Sequence, residues 1–196
     1  MNDSTDWNAR YESGETPWEK GGPHPELAAI LRRFPLASPV LVPGCGTGHD
    51  VRRIAETRVE VLGVDIASAA VQRAEDFAPV GSETYRVANL FALDAERAFA
   101  GLFEHTCFCA IDPALRKTYA TSVSRLLKSG GTFAAIFFIE PGLDPGESGP
   151  PFGVASEELD QLFAPNFVLL EEWIPVSTYL GREGRELCRI YRKREG

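Results

Sequence analysis

Residues 40–50 constrain this chain more than any other stretch. Val40-Leu41-Val42-Pro43 is an apolar run of the length of a buried strand, and it breaks at once into Gly44-Cys45-Gly46-Thr47-Gly48. Val51, Ile54 and Ala55 then recur at helical spacing. A strand, a glycine turn and a helix, in that order, is how a parallel α/β sheet presents bare backbone to a nucleotide.

The spacing narrows the ligand. Position 49 is His where a dinucleotide fingerprint has its third glycine, and the lysine and hydroxyl of a phosphate loop are missing. Such a turn suits a nucleoside better than a pyrophosphate. Val61-Leu62-Gly63-Val64-Asp65 is a second apolar strand, and its carboxylate lies 21 positions after Gly44. A βαβ unit sets an acid there against ribose hydroxyls. Gly44, Cys45, Gly46, Asp65 and its neighbour Ile66 are therefore the first candidates for a nucleoside site. Together they point to S-adenosylmethionine, an adenosine carrying a reactive sulfonium. A plain βα turn followed by a strand-end cap is the competing explanation.

The 196 residues suit one domain, 1–196, with a sizeable core. A formal charge of −8 and the lack of a dense Lys/Arg stripe argue against a nucleic-acid partner. Arg182, Arg185, Arg189, Arg192, Lys193 and Arg194 alternate with apolar residues and glutamates, as on a solvated strand face. The polar, acidic opening is unlike a signal peptide, and no apolar run reaches the roughly 18 residues of a membrane span. A cytoplasmic protein is expected. Cys107 and Cys109 are expected on one face of a strand, but their spacing has no partner pair, so no metal is expected and all four cysteines read as reduced thiols.

In chain order, residues 1–23 carry Trp7, Tyr11 and Trp18 among Gly, Pro and charge. Trp7 and Tyr11 share one side of a helical turn. Packing on the domain's flank is one reading, and an aromatic lid over a cationic methyl donor is the other. Pro25 begins a helix carrying Leu27, Ile30, Leu31 and Phe34. Strand 40–43, helix 48–56, strand 59–64, helix 67–77 and strand 85–89 follow. Asn89 and Leu90 close that strand, as adenine contacts or as ordinary turn residues. A strand over 99–109 is interrupted by Glu104 and His105 near its carboxyl end, where open α/β sheets place ligands. Asp112-Pro113 starts a helix, Gly130-Gly131 stops it, and 132–139 is a strand. Residues 140–155 form a proline- and glycine-rich loop expected to wall an acceptor pocket, with Phe138 and Phe152 lining it. Ser156 caps a helix to Phe163, and strands 167–174 and 186–193 close the chain.

These elements resemble the class I S-adenosylmethionine methyltransferases, and within them the thiopurine methyltransferase family, which includes halide and thiol methyltransferases. The residues that carry the likeness span nearly the whole chain: Trp7, Tyr11 and Thr16-Pro17-Trp18; Leu41 to Asp50; Glu104-His105-Thr106 with Ala110-Ile111-Asp112-Pro113; Gly149-Pro150-Pro151; and Gly184-Arg185-Glu186-Leu187. The resemblance implies a Rossmann-like α/β/α sandwich with a seven-stranded, mostly parallel sheet and one antiparallel strand. It implies that Trp7, Tyr11 and Trp18 enclose the donor, that Gly44 lies under its methionine part, and that Asp65 takes the ribose hydroxyls. Asn89 and Leu90 would bracket the adenine, with His105 beside the cofactor. Three positions depart from the family's habit: Asn89 for an acid, Ala100 for an Asp, and Phe138 for a Tyr.

The expected reaction is in-line methyl transfer to a small soft nucleophile: thiol, hydrosulfide, halide or thiopurine-like. An anionic nucleophile needs no base, and for a neutral thiol His105 is the candidate. Arg116 and Arg185 are considered as anion attractors, with structural ion pairs the simpler role for each. A monomer is expected. The competing functions are an O- or N-methyltransferase of the same fold, an NAD-binding oxidoreductase, and a non-catalytic adenosylmethionine binder.

Overall fold

The computed structural model describes residues 5–143 and 149–195, so the stretch 144–148 of the predicted acceptor-side loop lies outside the described residues. The strands are β1 (Val40–Pro43), β2 (Glu60–Asp65), β3 (Ser82–Val87), β4 (Phe99–His105), β5 (Leu127–Phe138), β6 (Phe167–Trp173) and β7 (Glu186–Lys193). The helices are α1 (Trp7–Ser13), α2 (Leu27–Arg33), α3 (His49–Ala55), α4 (Ser68–Glu75), α5 (Arg116–Leu126) and α6 (Ser156–Phe163). One seven-stranded sheet has the order β3-β2-β1-β4-β5-β7-β6. β3, β2, β1, β4 and β5 pair in parallel, and β7 runs antiparallel to both β5 and β6. This is the Rossmann-like α/β architecture that the resemblance implies.

Side-chain alternation along the central strands feeds two cores. Leu41, Leu102, Phe133 and Phe137 join Tyr119, Val123, Leu159 and Phe163 of α5 and α6. Val40, Val42, Phe103 and Ile136 join Leu27, Ile30, Val51 and Ile54 of α2 and α3. Burial of each such side chain contributes about 1.5–3 kcal/mol. The ligand side is the carboxyl edge of β1, β2 and β4, where α1 packs on α4 through Tyr11, Ala67 and Ala70.

Four local expectations are corrected. Gly130-Gly131 does not end α5; the helix stops at Leu126 and both glycines lie inside β5. Leu127 already pairs with Phe99, and the register then shifts before Gly101 meets Thr132, so long-range pairing overrides the local stop signal. β4 ends at His105, and Cys107 and Cys109 leave the sheet around a 3-10 turn at Phe108–Ala110. The buried Glu104 carboxylate turns the chain there by accepting Phe108 N at 2.7 Å. Ser156 is the first residue of α6 rather than its cap, and its hydroxyl bonds to Arg189. Arg189 is only 1% exposed, because β7 is an interior strand; Glu172 accepts its Nε at 2.6 Å and Asp160 its Nη1 at 2.8 Å. Among the described residues no helix is long and apolar enough to cross a membrane.

Candidate active site

The glycine turn leaves β1 with positive φ at Gly44 and Gly46. A Cβ on Gly44 would lie 2.7 Å from Cys107 Cβ, and one on Gly46 would lie 2.9 Å from the Tyr11 hydroxyl. The missing side chains therefore let two other parts of the protein close on the turn, while Gly44 itself still faces a cavity. Asp65, at the end of β2, locks the arrangement. Its Oδ2 accepts Gly46 N and its Oδ1 accepts Ala67 N, both at 2.9 Å. Burial pushes the Asp65 carboxyl up, and the N–H groups of Ala67, Gly46 and Ile66 pull it back. The two oxygens together retain acceptor capacity beyond these bonds.

The aromatic segment covers this turn. Asp6 caps α1 by accepting Ala9 N, and Gly14 closes it in the left-handed conformation. Asn8 Oδ1 accepts Ala69 N at 2.9 Å, which ties α1 to α4. Trp18 Nε1 donates to the Tyr11 hydroxyl at 2.9 Å, and the Trp7 and Trp18 rings meet edge-on at 5.4 Å. The Thr47 hydroxyl donates to Glu19, so the segment is fastened to the turn itself.

Beneath it lies a cavity of about 350 Å³. Trp7, Tyr11, Trp18 and Gly44 line it together with Asp65, Ile66, Asn89 and Leu90, and Phe138 lines it as well. Asn89 Oδ1 accepts Phe91 N at 2.9 Å and so caps the turn at Leu90–Ala92, which leaves its amide N–H groups as the free donors. Cys45, Gly46 and His105 line a second, polar chamber of about 40 Å³, which shares Tyr11, Trp18, Gly44 and Thr106 with the first. Phe152 lines neither. Its N–H donates to Cys109 O at 2.7 Å, and Pro150 and Pro151 face the cavity instead.

His105 is held by Asp50, from the first turn of α3. His105 Nδ1 lies 2.7 Å from Asp50 Oδ2, and Asp50 Oδ1 accepts His24 N at 2.8 Å. Burial opposes ionisation of Asp50, but the His105 charge and hydrogen bond and the His24 N–H outweigh it and hold the carboxyl below its usual range. An ionised Asp50 only accepts, so a proton of His105 sits on Nδ1 and Nε2 is the ring nitrogen turned away from this bond. That Nε2 is buried with no partner among the described residues.

The His24 ring meets His105 edge-on at 4.8 Å, and its Nε2 contacts Glu186 Oε2 at 2.9 Å. Ligand atoms of His24, His105 and Glu186 lie within 4.8 Å of one another. His24 Nδ1, however, accepts Glu26 N at 3.1 Å, so its proton lies on Nε2 and points at Glu186. Burial holds His24 down, in the neutral form. Burial raises Glu186 too, but the bonds from His24 and Thr178 prevail and bring it to about 2.

Of the arginines weighed as anion attractors, Arg116 is engaged by Glu158 at 2.8 Å and by Gly153 O at 2.7 Å. The Arg185 guanidinium lies against Gly142, away from the cavity lining. Arg182, which sequence reasoning passed over as part of a charged strand face, does line the cavity. So do Cys107 and Cys109; burial pushes Cys109 up to about 12 and keeps both thiols neutral.

The profile of the thiopurine S-methyltransferase (TPMT) family matches residues 2–174. The chain belongs to that family. It is similar to the probable thiol methyltransferase 2 of Arabidopsis thaliana, 33% identical over 169 residues, covering 84% of this chain and 74% of the relative. It is also similar to thiocyanate methyltransferase 1 of Brassica oleracea, 30% identical over 167 residues, covering 81% and 71%. In fold it resembles the Burkholderia thailandensis 1,6-didemethyltoxoflavin-N1-methyltransferase, solved with its substrate and S-adenosylhomocysteine (TM-score 0.75, 20% identity, 97% and 86% covered). This member of the thiopurine methyltransferase family is thus an S-adenosylmethionine-dependent methyltransferase. Its site fits that donor: the cavity has the size of a ligand pocket, Asp65 faces it with unused lone pairs, and aromatic rings cover it.

Proposed function

We propose that the protein moves a methyl group from S-adenosylmethionine to a small soft nucleophile, such as a thiol, hydrosulfide, thiocyanate, halide or thiopurine-like sulfur. One observation carries this reading. Asp65 is the sole carboxylate among the described residues lining the large cavity, and the rest of the wall is mainly aromatic, aliphatic and neutral thiol. A phenol or amine acceptor needs a base beside it, and the candidate base His105 lines only the smaller chamber, whereas a soft anion arrives ready to attack. The names of the plant relatives agree with this class of acceptor.

The donor, when bound, supplies an electrophilic methyl group on a sulfonium. In this reading Asp65 accepts the ribose hydroxyls, and the Asn89 amide and Leu90 N–H bracket the adenine beside Ile66. Gly44, Cys45 and Gly46 pass under the methionine part. Trp7, Tyr11 and Trp18 close over the site, exclude water, and offer ring faces to the positive sulfur. Phe138 walls the acceptor, and His105 Nε2 takes the proton of a neutral thiol. Alignment for an in-line displacement can supply roughly 7–11 kcal/mol.

The test is transfer of labelled methyl to a panel of iodide, thiocyanate, hydrosulfide, thiophenol, a thiopurine and tellurite, beside catechol and primary amines. Turnover of the soft acceptors is expected. Methylation of only the phenol or amine arms would replace this reading with an O- or N-methyltransferase, and donor binding without any turnover would make the protein a binder.

A further inference from the structure

We propose that Arg182 is the docking group for an anionic acceptor, a small, weakly hydrated anion such as thiocyanate or iodide; this rests on the methyl-transfer reading above. Arg182 lies in the 174–185 connection between β6 and β7 and lines the large cavity. Its charged side chain is only 13% exposed. The guanidinium sits 4.8 Å from the Phe138 ring centroid and 5.5 Å from that of Tyr179. Among the described residues its side chain makes one hydrogen bond, from Nη1 to Glu186 Oε1 at 3.0 Å.

Among the described residues the other two guanidinium nitrogens have no protein partner, yet neither is sealed off. Among the described residues only His105 Nε2 and Arg116 Nε are both buried and partnerless. The two Arg182 nitrogens therefore keep accessible surface on a residue that lines the cavity. Arg10, the other cation of that lining, is stacked on Trp18 at 4.7 Å in the lid. Arg182 is the cation set instead beside Phe138.

The same arrangement selects among anions. Glu186 is held ionised at about 2, so the Arg182–Glu186 pair is neutral overall and attracts little by net charge. What it offers is a planar, weakly hydrated donor face beside aromatic rings. A strongly hydrated anion loses too much water to settle there, whereas a polarisable one loses little. In the transfer, a lone pair of the anion bonds to the methyl carbon as the carbon–sulfonium bond breaks, leaving a neutral thioether and a neutral methylated acceptor. Arg182 then has nothing left to hold, which favours release.

The experiment compares the full-length protein with Arg182→Met and Arg182→Lys. KM and kcat are measured for thiocyanate and for pentanethiol, with perchlorate as a non-nucleophilic competitor, and donor affinity by calorimetry. The expected result is a KM for thiocyanate raised about tenfold or more in Arg182→Met, well beyond any change for pentanethiol, with partial recovery in Arg182→Lys. Perchlorate competes with thiocyanate in the wild type and loses that potency in Arg182→Met. Equal rises in KM for both acceptors, or unaltered perchlorate inhibition, would overturn the proposal. If no acceptor is methylated, the functional reading falls on its own. Chloride NMR line broadening that thiocyanate reverses then still decides the docking site: broadening lost in Arg182→Met supports it, and broadening retained sinks it.

Discussion

Asp50 and His105, 55 positions apart in sequence, form a carboxylate–imidazole pair at 2.7 Å that leaves the other ring nitrogen buried and, among the described residues, unpartnered. Asp50 stands in this pair as a positioning residue: it sets the tautomer and supports a proton arriving at Nε2. Asp50→Asn keeps the shape and removes the charge. We expect kcat for an alkyl thiol to fall about tenfold to a hundredfold. Thiocyanate, which brings no proton, should be nearly spared. Equal losses for both acceptors would show that Asp50 only supports the fold.

Asp65 serves the turn and the proposed ligand with the same two oxygens. Asp65→Asn retains an acceptor for one of the Gly46 and Ala67 N–H groups but loses the charge-assisted bonds to ribose. Donor affinity by calorimetry should weaken about tenfold to a hundredfold. A variant that stays folded and binds the donor as the wild type does would remove Asp65 from the binding site.

Glu104 makes stability fall as pH rises. Burial lifts its carboxyl from the ordinary 4.5 to about 7. Within that window the folded chain keeps the proton and the unfolded chain has released it, so stability is greatest at the acid end and is lost as pH climbs through about 7. Above it both states are ionised and the loss is complete. Glu104→Gln retains an acceptor for Phe108 N and carries no titrating proton. Urea midpoints should decline less for the variant than for the wild type across this range.

Glu186 works in the opposite sense. Its folded value of about 2 lies below the ordinary 4.5, so its contribution is present above 4.5 and is lost as pH falls towards 2. Glu186→Gln removes the charge that His24, Thr178 and Arg182 share. We expect it to lower stability at neutral pH by about 3 kcal/mol. The two proteins should converge in acid, as thermal unfolding across pH would show.

The glycine turn, the acid at the end of β2 and the strand pair at the end of the chain were readable because each is a local signal. An apolar run breaks at turn residues, and a carboxylate or glycine follows at fixed spacing. What escaped was set by distant partners. Gly130 and Gly131 look like a helix stop until Phe99 is there to pair with Leu127. Cys107 and Cys109 alternate like strand residues until Glu104 captures Phe108 N. Arg182 and Arg189 share one charged run. Only the insertion of β7 between β5 and β6 buries Arg189, and only the connection's path over Phe138 brings Arg182 into the cavity. Phe152 stands outside the cavity lining, to which Pro150 and Pro151 contribute instead.

That insertion also governs how the molecule is born. β6 leaves the ribosome before β7, yet β7 is its sole neighbour in the sheet. A chain that ends between Trp173 and Glu186 therefore holds β6 without a mate and leaves the β7-facing edge of β5 open. Such an edge is a template for pairing with another chain. Pairing of β7 is thus the step that closes the open edge of β5 and gives β6 its place in the sheet.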